Sequence, residues 1–155
     1  MGLNSPLPEG YHWIKGLGKD RALLLKFMGQ TYGELFPNQG NFAHLADTVA
    51  QYFSPETPLW WVATGEEVRV GCLWLGTGVA QESGDRYTHI FLVYVAPKHR
   101  NQGIGTALMT LAQQWAESCG HGKIGLQVFE QNRAARRLYD RLGYETRSRL
   151  MIKKF

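Results

Sequence analysis

The stretch Val95-Ala96-Pro97-Lys98-His99-Arg100-Asn101-Gln102-Gly103-Ile104-Gly105-Thr106-Ala107-Leu108 decides the reading of this chain. Before it comes His89 to Val95, HIFLVYV, a nearly continuous apolar run of the kind a strand shows when both its faces are covered. Pro97 ends that strand. After the loop, Ile104, Leu108, Leu111 and Trp115 fall at helical spacing towards Cys119, and Gly120 and Gly122 stop the pattern. A buried strand thus passes through a short basic loop directly into a helix. The first turn of a helix carries free backbone N–H groups and the positive end of its dipole, so it receives anions. Gly103 and Gly105 have no Cβ and let an anion approach the backbone closely. Arg100 adds a charge-assisted donor. The chemistry is that of a phosphate or pyrophosphate site.

Two phosphate loops are excluded. A Walker loop needs Gly-Lys-Ser/Thr, and the sequence has none. The dinucleotide fingerprint fails at its third glycine position, which is Leu108, and the segment lies past the middle of the chain.

Working outward, Tyr11 to Gly16 reads as a first strand. Asp20 is an N-cap for a helix through Leu23, Leu24, Phe27, Met28 and Tyr32, closed by Gly33 and Pro37. Asn41 caps a second helix with Phe42, Leu45, Val49, Tyr52 and Phe53 on its apolar face, and Pro55 and Pro58 forbid its continuation. Leu59 to Thr64 and Val68 to Thr77 read as an antiparallel hairpin about Gly65-Glu66-Glu67, and Gly78 to Arg86 as a polar loop. Lys123 to Phe129 is another strand. Asn132 opens a short helix through Ala135, Leu138, Tyr139 and Leu142, which Gly143 ends. Glu145 to Phe155 is a last strand. The order β-α-α-β-β-β-α-β-α-β is that of an α/β sheet of mixed direction.

Composition agrees with one folded unit of residues 1–155. The 155 residues are 44% hydrophobic and 19% charged, which excludes a disordered chain. No apolar run approaches the roughly 18 residues of a membrane span. MGLNSPLPEG lacks the basic start and apolar run of a signal peptide, and Pro6 spoils a myristoylation pattern. Cys72 and Cys119 suggest neither a disulfide framework nor a zinc site, and His12, His44, His99 and His121 show no ligand spacing. The expectation is a soluble, cytoplasmic protein without metal. Residues 1–88 hold six Lys or Arg against nine Asp or Glu; residues 89–155 hold eleven against four. The basic half suits an anionic partner and the acidic half a cationic one.

The run Arg100-x-x-Gly103-Ile104-Gly105 resembles the acetyl-CoA pyrophosphate loop of GCN5-related N-acetyltransferases (GNAT), whose pattern is Arg/Gln-x-x-Gly-x-Gly/Ala. The second half of that signature follows about 30 residues on, as a βαβ unit requires: a strand, Asn132, Ala134-Ala135, Leu138-Tyr139 and Leu142-Gly143-Tyr144. The resemblance covers residues 89–145 closely and the rest by element order. It implies an α/β fold with a mixed, mostly antiparallel central sheet and a splayed parallel strand pair. Residues 1–88 would be the substrate-side half and 89–155 the CoA-binding half.

The family's functions carry over residue by residue. Pantetheine would lie in the splay against the backbones of Val93, Tyr94 and Val95. Pyrophosphate would sit on the amides of Asn101, Gln102, Gly103, Ile104, Gly105 and Thr106, with Arg100 beside it. Asn132 matches the position that contacts pantetheine or the adjacent phosphate, and capping its helix is compatible with that. Arg136, with Arg133 and Arg137, is a candidate for the nucleotide phosphates or a solvated helix face. The Val95 amide would hold the oxyanion. Tyr139 would protonate the departing thiolate, though Ala135, Leu138 and Leu142 on its face also suit a core tyrosine. The base is open. Gln127 stands where peptide amino-terminal acetyltransferases often have Glu, and His89 stands where histone-type members have it. His89 shares strand parity with Phe91, Val93 and Val95 and could take a proton directly or through water. Glu34, Glu82 and Asp85 are looser alternatives.

The acceptor side combines acid with aromatics, namely Tyr32, Phe36, Tyr52, Trp60, Trp61, Trp74 and Tyr87, which suits a cationic amine by cation–π attraction, while core packing accounts for most of those aromatics equally well. The expected partners are acetyl-CoA and an amine, either a small cationic molecule or a peptide; neither nucleic acid nor membrane is expected, and a homodimer is left open. The rival function is a non-catalytic acetyl-CoA-binding or sensing module, which Gln127 keeps alive.

Overall fold

A computed structural model describes residues 3–155, so the first two residues of the amino-terminal stretch read above lie outside it. Five strands form one sheet in the order β1-β2-β3-β4-β5: Tyr11–Lys15, Leu59–Thr64, Arg69–Val79, Arg86–Val95 and Ile124–Leu126. The first four are antiparallel, and β5 runs parallel to β4. Four helices cover it: α1 Arg21–Leu35, α2 Leu45–Tyr52, α3 Ile104–Ser118 and α4 Arg133–Arg141. This is the mixed, mostly antiparallel α/β sheet that the sequence led us to expect.

Each face of the sheet buries its own core. On one side Ile104, Leu108 and Leu111 of α3, with Tyr139 of α4, pack on Trp60, Val62, Leu73, Leu75 and Ile90. On the other, Leu24, Phe27 and Met28 of α1 and Leu45 and Val49 of α2 pack on Trp61, Cys72, Trp74, Leu92 and Tyr94. Covering on both faces explains why β2 is buried from Leu59 to Ala63 and reads as a continuous apolar run. Trp60, Trp61 and Trp74 therefore belong to the two cores and not to an acceptor surface.

Several boundaries move for identifiable reasons. Asp20 precedes α1 but turns inward: its Oδ2 accepts from the Leu17 amide at 2.9 Å and from Trp61 Nε1 at 3.1 Å. Removing that acceptor would strand a buried indole N–H, at a cost of about 1–3 kcal/mol. Gly33 does not end α1, which reaches Leu35 before Pro37. Asn41 caps a turn, accepting from the Ala43 amide at 2.8 Å, and leaves Phe42 outside α2. The strands β3 and β4 run on into the stretch Gly78 to Arg86 that was expected to be a polar loop, with Val79 still paired to Arg86. Two differences concern the carboxyl-terminal part. β5 is three residues instead of seven, and Glu145 to Phe155 forms no strand.

Candidate active site

The loop between β4 and α3 folds as an anion cradle. Pro97–His99 make a single 3-10 turn, Asn101 has φ 62° and Gly103 φ 93°. The left-handed turn at Gly103 suits glycine and aims the chain into α3. The first helical bond runs from the Ala107 amide to the Gly103 carbonyl, at 3.1 Å. The amides of Ile104, Gly105 and Thr106 are thus the orphan donors of a helix N-terminus, with no side-chain cap competing for them. Tyr11 of β1 braces the loop from behind: its hydroxyl lies 2.8 Å from His99 Nδ1 and donates to Gln102 Oε1 at 3.2 Å. All three groups are satisfied when His99 carries its proton on Nδ1 and donates to the phenol oxygen.

Beside the cradle the sheet opens. β4 and β5 are paired only from Thr88–Ile124 to Ile90–Leu126. Beyond that point, among the described residues, Phe91 to Val95 have no strand beside them on the β5 side. The divergence coincides with a bulge, because Trp74 faces Leu92 while Leu75 faces Ile90, leaving Phe91 as the extra residue. The Ala96 amide bonds across to Val70 on the β3 side, at 2.7 Å. Alternation along the strand then turns the N–H and C=O of Val95 and Val93 into the opening. The Val95 carbonyl confirms the direction, since it accepts from Arg100 Nε at 2.8 Å.

The same Arg100 grips α1. Its two terminal nitrogens donate to the two carboxylate oxygens of Glu34 at 2.9 and 2.8 Å. Its guanidinium lies 5.8 Å from the Tyr94 ring. Burial raises the Tyr94 pKa, and the Glu34 charge adds to that. Arg100 therefore ties strand, loop and helix together, with both ends of its guanidinium engaged, instead of projecting as a free phosphate donor.

α4 closes the other wall. The Asn132 side chain accepts from the Ala135 amide at 3.3 Å, so it caps the helix as expected. Tyr139 is buried, and desolvation with the neighbouring Tyr144 pushes its pKa up to about 12. Its phenol keeps its proton throughout the neutral range and is a donor. Arg136 donates to the Glu130 carbonyl at 3.1 Å and meets the Glu130 carboxylate at 3.4 Å. Between the walls lies a groove of about 300 Å³. It is lined by Val93, Tyr94 and Val95, by the loop from His99 to Thr106 except Gln102, and by Asn132 and Tyr139.

A profile of the acetyltransferase (GNAT) family matches residues 25–144. The chain belongs to that family. This GNAT chain is 29% identical over 101 residues to the uncharacterized N-acetyltransferase YycN of Bacillus subtilis strain 168, a match covering 65% of this chain and 64% of that protein. The chain thus spans just under two thirds of that relative. Among solved structures, a putative acetyl transferase from Pyrococcus furiosus superposes with a TM-score of 0.76 at 20% identity, over 94% of this chain and 99% of the other. AAC(6')-Iy in complex with the bisubstrate analog CoA-S-monomethyl-acetylneamine superposes at 0.68 and 15% identity, over 94% and 97%. These superpositions show the GNAT fold.

Of the residues singled out from the GNAT signature, eleven of fourteen line the groove, and His89, Gln102 and Arg136 do not. The bulge accounts for His89. It breaks strand parity at Phe91, so His89 stands with Phe91, at a ring distance of 4.9 Å, on the face opposite Val93 and Val95. Burial lowers its pKa. Three lining residues went unrecognised in the signature: Thr31 and Leu35 of α1, and Arg141 of α4. Phe129 is a further omission from the acceptor side. Its ring lies 4.9 Å from Phe36 and 5.8 Å from Tyr32, completing a half-exposed aromatic cluster at the end of α1. Among the described residues no three His, Cys, Asp or Glu side chains gather as metal ligands, and no helix is long and apolar enough to cross a membrane.

Proposed function

We propose that residues 1–155 form one acetyltransferase domain, which moves the acetyl group of acetyl-CoA directly to a primary amine of a small cationic molecule or a peptide. The observation that carries this reading is a helix N-terminus with unpaired amides and a strand opening with unpaired backbone, joined in one groove with a protonated buried tyrosine. The first feature suits a pyrophosphate, the second an extended amide chain such as pantetheine, and the third a thiolate.

In this reading the amine nitrogen attacks the thioester carbonyl carbon, and the carbonyl oxygen becomes an oxyanion near the Val95 N–H. The C–S bond then breaks. The nitrogen gives up a proton, and the sulfur leaves as thiolate and gains one. A phenol at about 12 stands well above the roughly 8.5 of an ordinary thiol, so complete transfer from Tyr139 would run uphill. Tyr139 holds the departing sulfur by a hydrogen bond as charge develops on it, and solvent completes the protonation.

The acceptor enters from the side of α1. There Glu34, held by Arg100, lines the groove, and Tyr32, Phe36 and Phe129 gather in an aromatic cluster at the end of α1. Carboxylate and ring faces together favour an ammonium group. His89 borders the point where β4 and β5 part, and its lowered pKa leaves it neutral at pH 7. Because it lies outside the groove, it receives the amine proton through water.

The test is thiol release from acetyl-CoA in the presence of monoamines, polyamines and short peptides. The expected result is turnover with amines, fastest for small multiply charged ones. Tight acetyl-CoA binding with no release for any amine would overturn the enzymatic reading.

A further inference from the structure

The loop from β4 to α3 is held from two sides. Arg100 ties it to the Val95 carbonyl and to Glu34 of α1. The second tie runs to the edge strand β1, where the Tyr11 hydroxyl lies 2.8 Å from His99 Nδ1 and donates to Gln102 Oε1 at 3.2 Å. No other side-chain hydrogen bond holds residues 97–103 among the described residues. Between the two residues that Tyr11 meets stands Asn101, with a left-handed φ of 62°. Asparagine tolerates that region better than most residues, yet the conformation still costs free energy and persists only where its surroundings impose it. Asn101 is exposed and has no such bond of its own, so the restraint must come from its neighbours. His99 and Gln102 flank the turn, and one hydroxyl fixes both.

Tyr11 is a firm point from which to hold them. It opens β1, pairs with Thr64, and rests its ring on the core beneath α3. That ring also stands edge-on to His99, at 5.7 Å and 86°. We propose that Tyr11 is a positioning residue for the phosphate loop: through His99 and Gln102 it keeps the turn at Asn101 in the shape that receives the pyrophosphate of CoA. The proposal rests on the acetyl-CoA reading above. Tyr11 does not line the groove, so its effect is carried by the loop. The same contact accounts for Gln102, which turns back to Tyr11 while Asn101 and Gly103 line the groove. Holding the loop before the ligand arrives spares the ligand the cost of ordering it. β1 precedes the stretch that matches the GNAT profile, so the signature assigns Tyr11 no role.

The test is Tyr11→Phe, which removes the hydroxyl and keeps the ring. Isothermal titration with CoA should show Kd raised roughly three- to tenfold. KM for acetyl-CoA should rise with it while kcat stays within a factor of about two, as when binding is lost equally from ground and transition states. S-acetylpantetheine carries the thioester without the pyrophosphate, so its kcat/KM should not change. Gln102→Ala trims an exposed side chain, leaves β1 intact, and should raise Kd for CoA in the same direction. Unchanged CoA affinity in both variants, or equal losses with acetyl-CoA and S-acetylpantetheine, would overturn the proposal while leaving the acetyl-CoA reading in place. A wild type that binds no CoA would overturn both.

Discussion

Arg100 holds both carboxylate oxygens of Glu34, at 2.9 and 2.8 Å, while its Nε holds the carbonyl of Val95 at 2.8 Å. One side chain thereby joins the acceptor-side helix to the strand whose amide faces the opening. Both partners are about 40% exposed, so solvent screens the pair and its share of stability is small, within about 1 kcal/mol. Its value lies in placement. Glu34→Gln should shift the melting temperature by no more than about 2–4 °C. It should raise KM for cationic amines several-fold while acetyl-CoA binding is kept. Equal losses for charged and neutral acceptors would show that Glu34 does not attract the ammonium group.

Tyr139→Phe removes one oxygen and leaves the ring in its packing against Tyr144, at 5.7 Å. Turnover should fall by about 10²-fold, with acetyl-CoA affinity within a factor of two or so. Steady-state kinetics beside a binding titration separate the two. Unchanged turnover would return Tyr139 to a purely core role.

The pH profile has a definite sign. In the proposed mechanism Tyr139 acts protonated, and burial holds it at about 12, so its donor form persists up to about pH 11. In the same proposal His89 acts unprotonated, and burial lowers its pKa from the ordinary 6.5, so its neutral form prevails above neutrality. The acceptor must itself be unprotonated, with a pKa near 10 for an alkyl amine. The kcat/KM for such an amine should therefore rise through pH 7 to 9 with no descending limb. A decline between pH 8 and 9 would mean that another acid, with a far lower pKa, donates to the sulfur.

Much of the site was legible because its signals are local. Gly103 marks a left-handed backbone conformation, which is read directly from residue type. Asn132 caps α4 through a bond within its own turn. What the sequence hid depends on contacts between distant segments. Arg100 meets Glu34 across 66 positions, so its commitment could not be inferred from the loop. His89 was misplaced because parity assumes an unbroken strand, and the bulge at Phe91 comes from how β3 pairs with β4. Trp60, Trp61 and Trp74 stayed open between an acceptor and a core role because residue type does not distinguish two covered faces from one. Residues 145–155 were read as a last strand from composition, but composition supplies no partner strand, and the segment forms none.

Gly105 offers the sharpest probe of the groove itself. A Cβ there would stand 3.4 Å from Leu138 Cδ2, so a longer side chain must project between α3 and α4. Gly105→Glu adds bulk and a negative charge to a site built for an anion. Thermal unfolding with and without acetyl-CoA, for the wild type and for this variant, tests the central claim that the α3 N-terminus binds the pyrophosphate of acetyl-CoA. At a hundredfold excess over Kd the wild type should gain roughly 2.7 kcal/mol, which is about 5–10 °C for a chain of this size. Gly105→Glu should melt near the wild type without ligand and show no shift with it. An equal shift in both proteins, or none in the wild type at saturation, would contradict the assignment.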